Sequence, residues 1–355
     1  MTSPAETTDT PQAPDPLLRQ PSQTGVNRGR RRTLPLKYIL NKTFSALVLL
    51  LFVTIFNFFL FRIMPGDPAK TFAPRGRNDN PEALIAMRKR LGEGKPLYEK
   101  FFLYMQNLFK GNLETSYSQH QSVASAIGDR IWPTVLLSGT ALVISVLVGL
   151  RLGTRSGWRH GSRFDRMASG SALTWYSVPE WWFGLILIII FASKSGLGIF
   201  PIAGYSDPNS SLPHFLDVAN HMVLPVIALS VVYIAQYSLI MRSSIIDERY
   251  AEYLATARAK GLRDDQVMKK HAVPNALLPS VTLFFLSLGF VVSGAITIET
   301  VFNWPGLGLL SEQALSGPDY PLLEGIFLVF SAAVIVMNLI ADLIYPLIDP
   351  RVRAA

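Results

Sequence analysis

The chain of 355 residues has no cysteine, which excludes disulfides, thiolate metal sites and a cysteine nucleophile. It is also poor in charge, with Asp, Glu, Lys and Arg at 16% against roughly a quarter in an ordinary globular protein. Phosphate-binding glycine loops are missing: the only Gly-Lys pair, Gly94-Lys95, runs into Pro96, so there is no P-loop. His120, His160, His214, His221 and His271 show no metal-ligand spacing, and neither a His-Glu-x-x-His helix nor a Gly-x-Ser-x-Gly elbow occurs. Gly306-Leu307-Gly308 lacks the third glycine and the preceding strand of a dinucleotide fingerprint and reads as a turn in an outer loop. These absences argue against an enzyme, whether soluble or intramembrane.

Long apolar runs are what the chain has. Hydrophobic residues make up 49% of it and fall in six blocks, at 40–61, 132–152, 168–192, 222–241, 277–298 and 322–346, and the mean hydropathy is +0.29. A bilayer core about 30 Å thick takes roughly 20 residues of apolar helix. The fold expected is therefore an all-α integral membrane protein with six transmembrane helices. The net charge of +8 follows the same logic. From the second block onward the connections and the C-terminal end carry 5, 1, 7, 0 and 2 Lys or Arg, counting Arg151 at a block edge with the loop after it. Basic residues of short loops stay in the cytoplasm, so both termini are expected there. The long segment 62–131 holds 11, but a loop of that length is translocated largely regardless of charge. The basic balance thus marks topology and membrane contact, not nucleic acid.

Five regions follow. Residues 1–36, rich in Pro, Ser, Thr and Gln, read as a disordered cytoplasmic tail, and 37–62 as an uncleaved first transmembrane helix despite Arg30-Arg31-Arg32 before it. Met64-Pro65-Gly66-Asp67-Pro68 makes a turn, and 63–131 forms an extracytoplasmic segment with short helices. In that segment Leu84, Met87 and Leu91, then Tyr98, Phe101, Phe102, Met105, Leu108 and Phe109, recur near helical spacing. Residues 132–346 form a five-helix core, and 347–355 a cytoplasmic C-terminus.

The most informative connection is 247–275. From Asp247 to Lys260 its composition is strongly helical, and Gly261 stands where a helix C-cap needs positive φ. A second short helix should start at Asp264 or Asp265, pass through Val267, Met268 and His271, and end at Pro274. The small residues Ala255, Ala257, Ala259 and Gly261 would let another protein's surface approach closely, with Arg258, Lys260, Lys269 and Lys270 around the tip.

Ala255-Thr256-Ala257, then Gly261, then His271-Ala272-Val273-Pro274 resembles the coupling loop of ABC-importer permeases, with Ala255 where the general pattern has Glu. Thr256 to Leu262 with Asn275-Ala276-Leu277-Leu278-Pro279 is similar to the dipeptide/oligopeptide branch, in the subunit with the long first outer loop. Pro65-Gly66-Asp67-Pro68, Glu299-Thr300-Val301-Phe302, Pro305-Gly306-Leu307-Gly308 and Asp349-Pro350-Arg351 match it too. The resemblance implies a type I importer permease in a bacterial inner (plasma) membrane, paired as a heterodimer with a second homologous permease. Two ABC ATPases, which bind the ATP, and an extracytoplasmic solute-binding protein complete the assembly; the permease itself needs no cofactor or metal. Its implied contact residues for the ATPase are Glu252, Ala255, Ala257, Arg258, Ala259, Lys260, Gly261, Asp264, His271, Pro274 and Asn275. Peptide is the implied solute, with nickel or an oligosaccharide as alternatives. From another class, a passive channel is the rival reading.

Polar groups at membrane depth are few. Glu180, after Pro179 near the middle of the third block, either marks solute selectivity or faces a water-filled crevice at a helix break. Ser230, Tyr233 and Tyr237 share a helix face that either lines a translocation path or bonds to a neighbouring helix. Asn338 and Asp342 fit a bundle-stabilising role, and Gly289 with Ser293 a close helix contact.

Overall fold

The computed structural model describes residues 36–63, 96–293 and 295–348. The 1–35 part of the tail, the Met64 to Pro68 turn, Leu84, Met87, Leu91 and the end of the chain from Asp349 lie outside the described residues. In chain order the helices are α1 (Leu36–Ile63), α2 (Leu97–Phe109), α3 (Val123–Trp158), α4 (Arg163–Ser177), α5 (Glu180–Leu187), α6 (His214–Glu248) and α7 (Glu252–Ala259). They continue with α8 (Asp264–Val267), α9 (Val273–Ala276), α10 (Leu278–Ser293), α11 (Ile296–Val301), α12 (Leu307–Ser316) and α13 (Tyr320–Ile348). The only β pairing among the described residues is an isolated bridge between Thr115 and Ser122.

Among the described residues five helices are long and apolar enough to cross a membrane, and a sixth crossing exists if α4 and α5 count as one. The block at 168–192 was expected to be a single helix; it is instead bent by 96° between Ser177 and Glu180. Pro179 is the cause: it holds the preceding Val178 extended, at φ −85° and ψ 126°, and so stops α4. Glu180 accordingly opens α5 at the break rather than lying within a continuous helix, and its carboxylate suits the positive end of that helix. Other helices overrun their apolar blocks: α3 has 36 residues and α6 has 35.

The pairing of α3 with α6 is the spine of the bundle. Gly149, Gly153 and Gly157 lie one turn apart on α3 and face α6. A Cβ on Gly149 would come within 2.7 Å of the Tyr237 Cβ, one on Gly157 within 2.7 Å of the Arg242 carbonyl oxygen, and one on Gly153 would run into the Ser238 carbonyl. Small residues at this spacing let two backbones touch, which compensates for the weak apolar driving force between helices in lipid. Since 149, 153 and 157 meet 237, 238 and 242 in ascending order, the two helices run parallel. The chain between them must cross back, and the bent α4–α5 pair makes that return.

The helix ends sort onto two faces. Tyr38 Oη donates to the Asp342 carbonyl at 3.0 Å, Lys42 pairs with the Asp342 carboxylate at 2.9 Å, and Asn57 Nδ2 donates to the Glu324 carbonyl at 2.9 Å. Thus α1 and α13 are antiparallel, and the start of α1 lies beside the end of α13. Asp342 ties the bundle together in this way. At the opposite face Val123, Ala126 and Ile127 of α3 pack with Leu307, Leu310, Leu322 and Ile326. There α2 rests on α1 through Phe101 against Phe58 and Phe59, ring centroids 5.3 and 5.9 Å apart. Gly289 of α10 approaches the Val334 backbone of α13.

Two buried carboxylates brace the frame, and both have their lone pairs occupied. Asp165 of α4 accepts Arg242 Nε at 2.6 Å and Nη2 at 2.9 Å, the Ser156 hydroxyl at 2.6 Å and the Gly161 amide at 2.9 Å, joining α3, α4 and α6. Glu299 of α11, fully buried, accepts the Thr134 hydroxyl at 2.9 Å and the Gly308 and Leu309 amides at 2.7 and 3.1 Å. It thereby caps α12. Gly306-Leu307-Gly308 is consequently not a loop turn but the start of a helix, with Gly306 at its N-cap.

Replacing Gly153 by leucine should separate α3 from α6 at a cost of about 1–3 kcal/mol for overpacking. The expected outcome is a lower melting temperature in detergent, measured by fluorescence; an unchanged one would show that the two backbones have room to spare.

Candidate functional site: a helical hairpin at one end of the bundle

At the face shared by the ends of α3, α6 and α13, the chain makes a hairpin from Glu252 to Ala276. The first arm is α7, preceded by Ala251 in extended conformation and closed by Lys260. Gly261 follows with φ +81°, a backbone region that residues with a Cβ rarely adopt. Its amide donates to the Arg258 carbonyl at 2.9 Å and the Leu262 amide to the Ala257 carbonyl at 3.4 Å, so glycine ends the helix as its position in the sequence predicts.

The second arm differs from expectation at both ends. Arg263, not an aspartate, is the N-cap; Asp264 and Asp265 occupy the first turn, where their charge suits the helix dipole. Nor does Pro274 end the arm. Met268–Ala272 form one π-helical turn, and a further α-turn, Val273–Ala276, carries Pro274 in its first positions. Proline is tolerated in the first turn of a helix, where its fixed φ already suits the helical backbone.

The hairpin's inner side is a small apolar core. Leu254, Ala257, Val267, Ala272 and Ala276 are buried with Met241 and Ile245 of α6, and Leu150 and Trp158 of α3 pack against them. Ala257 therefore faces its own protein, which removes it from the surface expected to meet a partner. Ala255, Ala259, Lys260 and Gly261 do face outward, as do Glu252, Arg258, Asp264, Pro274 and Asn275, while His271 is half-buried. Tyr253 clamps the two arms: its hydroxyl donates to the Glu248 carboxylate, accepts from Asn275 Nδ2 at 2.7 Å and lies 3.2 Å from the His271 carbonyl. On the other side Trp158 Nε1 donates to Asp264 Oδ2 at 2.8 Å, tying α8 to the end of α3.

The residues expected along a translocation path separate into two groups. Ser230 and Tyr237 are buried between helices: Ser230 Oγ donates to the Ala141 carbonyl at 3.4 Å, and Tyr237 Oη to Ser287 Oγ at 3.1 Å. They are interhelical bonds rather than lining, Ser230 to α3 and Tyr237 to α10. Tyr233 is half-buried beside a void of about 20 Å³ that Ser138, Ser287 and Phe290 also line. Glu180 stays apart from Ser230 and Tyr237 in its bonding, its Oε1 accepting the Thr297 hydroxyl of α11 at 3.1 Å. Around the bend Trp175, Tyr176, Trp181 and Trp182 remain exposed. No three His, Asp or Glu among the described residues stand close enough to hold a metal ion.

Sequence reasoning overlooked the Asp165–Arg242 pair, the Glu299 lock and the glycine seam. The seam had a legible signal, three glycines at four-residue spacing across the end of an apolar block. Glu299 stood in one of the segments that resemble the family, but its bonding was not legible, and Asp165 had no signal beyond being an ionisable residue next to an apolar block; Arg242 and Thr134, which tie them to other helices, lie far away in sequence.

The family described as the binding-protein-dependent transport system inner membrane component matches residues 145–354, and its N-terminal companion matches 35–138. The chain belongs to that family. A Sinorhizobium fredii protein named "Probable peptide ABC transporter permease protein y4tP" is 35% identical over 89% of this chain and 99% of its own length. The di/tripeptide transport system permease protein DppB of Pseudomonas aeruginosa is 34% identical over 85% of this chain and 94% of its own. The glutathione transport system permease protein GsiC of Salmonella paratyphi A is 33% identical over 90% and 99%. This permease is therefore a multi-pass, inner-membrane transport subunit rather than a catalytic enzyme, and binding-protein-dependent transport implies ATPase and solute-binding partners.

Shortening Leu254 to alanine should cost about 2–5 kcal/mol locally, as for other buried leucines, and loosen the hairpin from α3 and α6. Limited proteolysis of the membrane-inserted protein should then cut between 250 and 265 several times faster, with the spans intact. Equal cutting rates would mean that this apolar core does not hold the hairpin.

Proposed function

We propose that this permease carries peptides inward across the membrane, with the hairpin as the part that receives force from an ATPase. One observation carries the reading. The hairpin's inner side is packed onto the ends of the parallel α3–α6 pair, while its tip, with Ala255, Ala259, Lys260 and Gly261, stands free at the surface. A push on the tip is transmitted to two membrane helices instead of being absorbed by a flexible loop. The face carrying the hairpin and the first and last described helix ends is taken as cytoplasmic, in keeping with its basic loops.

In the assembly we envisage, a second homologous permease completes a heterodimer and two ATPases bind and hydrolyse the ATP. A binding protein delivers solute from outside, and this chain itself holds no cofactor. Relatives named for peptide, di/tripeptide and glutathione transport support a peptide solute over nickel or an oligosaccharide. Glu180 and Tyr233 are the side chains we place nearest the path. Glu180 sits at the helix break, where an unwound turn gives water and solute access to mid-membrane backbone.

Substituting Gly261 by valine tests the coupling role. A β-branched residue at φ +81° strains the turn by about 1–2 kcal/mol, which the hairpin meets by reshaping its tip. Insertion into the membrane should be normal, measured by immunoblot of membrane fractions, while peptide uptake falls at least tenfold. Undiminished uptake would remove the hairpin from the coupling path, and uptake without ATP would favour a passive channel.

A further inference from the structure

Between the hairpin and α3 lies an open groove of about 900 Å³ whose two ends differ in chemistry. Leu147, Leu150, Val273 and Leu277 line the end toward the middle of the bundle. The other end holds six cations, Arg151, Arg155, Arg159, Arg249, Arg258 and Lys269. Trp158 stands on its wall, half-buried.

Five of these six cations have no carboxylate partner among the described residues. Asp264 and Asp265 are the acids on the groove wall, and each already has a partner, Arg258 at 3.4 Å for the first and Arg263 at 3.4 Å for the second. Asp264 also accepts the Trp158 indole at 2.8 Å. Among the described residues, no carboxylate stands within 4.0 Å of Arg151, Arg155, Arg159, Arg249 or Lys269. Arg151, Arg155 and Arg159 follow one another at four-residue spacing, so like charges stack about 6 Å apart along one helix face, a mildly destabilising arrangement without a counter-ion. Arg155 lies 4.9 Å above the Phe164 ring and Arg151 donates to the Leu147 carbonyl at 3.1 Å, so both are oriented although exposed.

We infer that this groove binds the phosphate headgroup of an anionic phospholipid, with an acyl chain along Leu147, Leu150 and Leu277. The two-zone lining favours an amphiphile over a free anion. Above the groove Val143, Ile144 and Val148 continue the apolar surface of α3, exposed by 55, 38 and 38%, so a chain entering from the bilayer meets no polar barrier. Basic pockets between helices at the cytoplasmic side of a membrane have this recognition chemistry. Such a lipid would touch α3 and the hairpin at once, through Arg151 and Arg155 on one side and Lys269 and Arg258 on the other, and so make hairpin movement depend on the bilayer. The inference rests on the proposed function only for which leaflet supplies the lipid and for that consequence.

The test uses the whole transporter, with its second permease and ATPases, purified from bilayers of phosphatidylcholine with or without phosphatidylglycerol. Native mass spectrometry counts phosphatidylglycerol molecules retained on this permease, a readout independent of uptake. Arg151→Gln/Arg155→Gln should retain one fewer than the unaltered protein. Arg151→Lys/Arg155→Lys should retain the full number, and so should Arg163→Gln/Arg166→Gln, which loses the same charge outside the groove. Equal retention in all variants overturns the proposal, and so does displacement of the lipid by inorganic phosphate, which would make the site one for a free anion. Because the chain has no cysteine, Arg155→Cys with a photo-crosslinker reports what covers the groove. Crosslinking to phosphatidylglycerol is expected; crosslinking to an ATPase or the second permease would show a protein interface instead.

Discussion

The close approach of α3 to α6 is the constraint on which the remaining structure depends. Gly149, Gly153 and Gly157 remove every side-chain atom from one stripe of α3, and the backbone of α6 fills the space. In lipid the hydrophobic effect does not drive two apolar helices together, so packing of this kind has to supply much of the attraction. Because the paired helices run parallel, the segment between them is obliged to return across the bundle. Because their ends lie level, they form a common platform for Leu254, Val267 and Ala272 of the hairpin. A side chain in the seam would tilt that platform as well as weaken the pair.

Around this spine the ionisable groups are placed where the bundle can satisfy them. Asp165 takes a bidentate contact from Arg242 and a hydroxyl from Ser156, and Glu299 takes two amides and a hydroxyl. A carboxylate removed from water costs several kcal/mol unless such bonds replace its hydration. Each is thus tied to helices remote in sequence, and each holds an irregular stretch in place: Asp165 the turn between α3 and α4, Glu299 the break before α12. Irregular backbone inside a membrane protein is tolerated where it is buried and bonded, and the bend at Pro179 beside Glu180 belongs to the same economy.

The hairpin and the groove next to it share a wall. Trp158 packs under the hairpin core, donates to Asp264 and lies beneath Arg258, whose guanidinium carbon is 5.7 Å from the ring centroid. Whatever occupies the cationic groove is therefore mechanically close to whatever moves the hairpin. Trp158 thus belongs at once to the support of the hairpin and to the wall of the groove.

Much of the architecture was legible in the chain. Long apolar runs dictate helices because the bilayer leaves no other way to satisfy the backbone, and Gly261 ends α7 because few other residues tolerate its φ. Such features are local, so neighbouring residues suffice to determine them. Partners were not legible. Ser230 and Tyr237 shared a face that could either line a path or bond a neighbouring helix, and only the positions of α3 and α10 decided for interhelical bonds; Ala257 looked available to a partner until the hairpin folded it inward. Nor could Glu180 be placed, since Pro179 announces a break but not its 96° angle. A helical side chain's direction follows from its own sequence, but what lies in that direction is set by other elements of the chain.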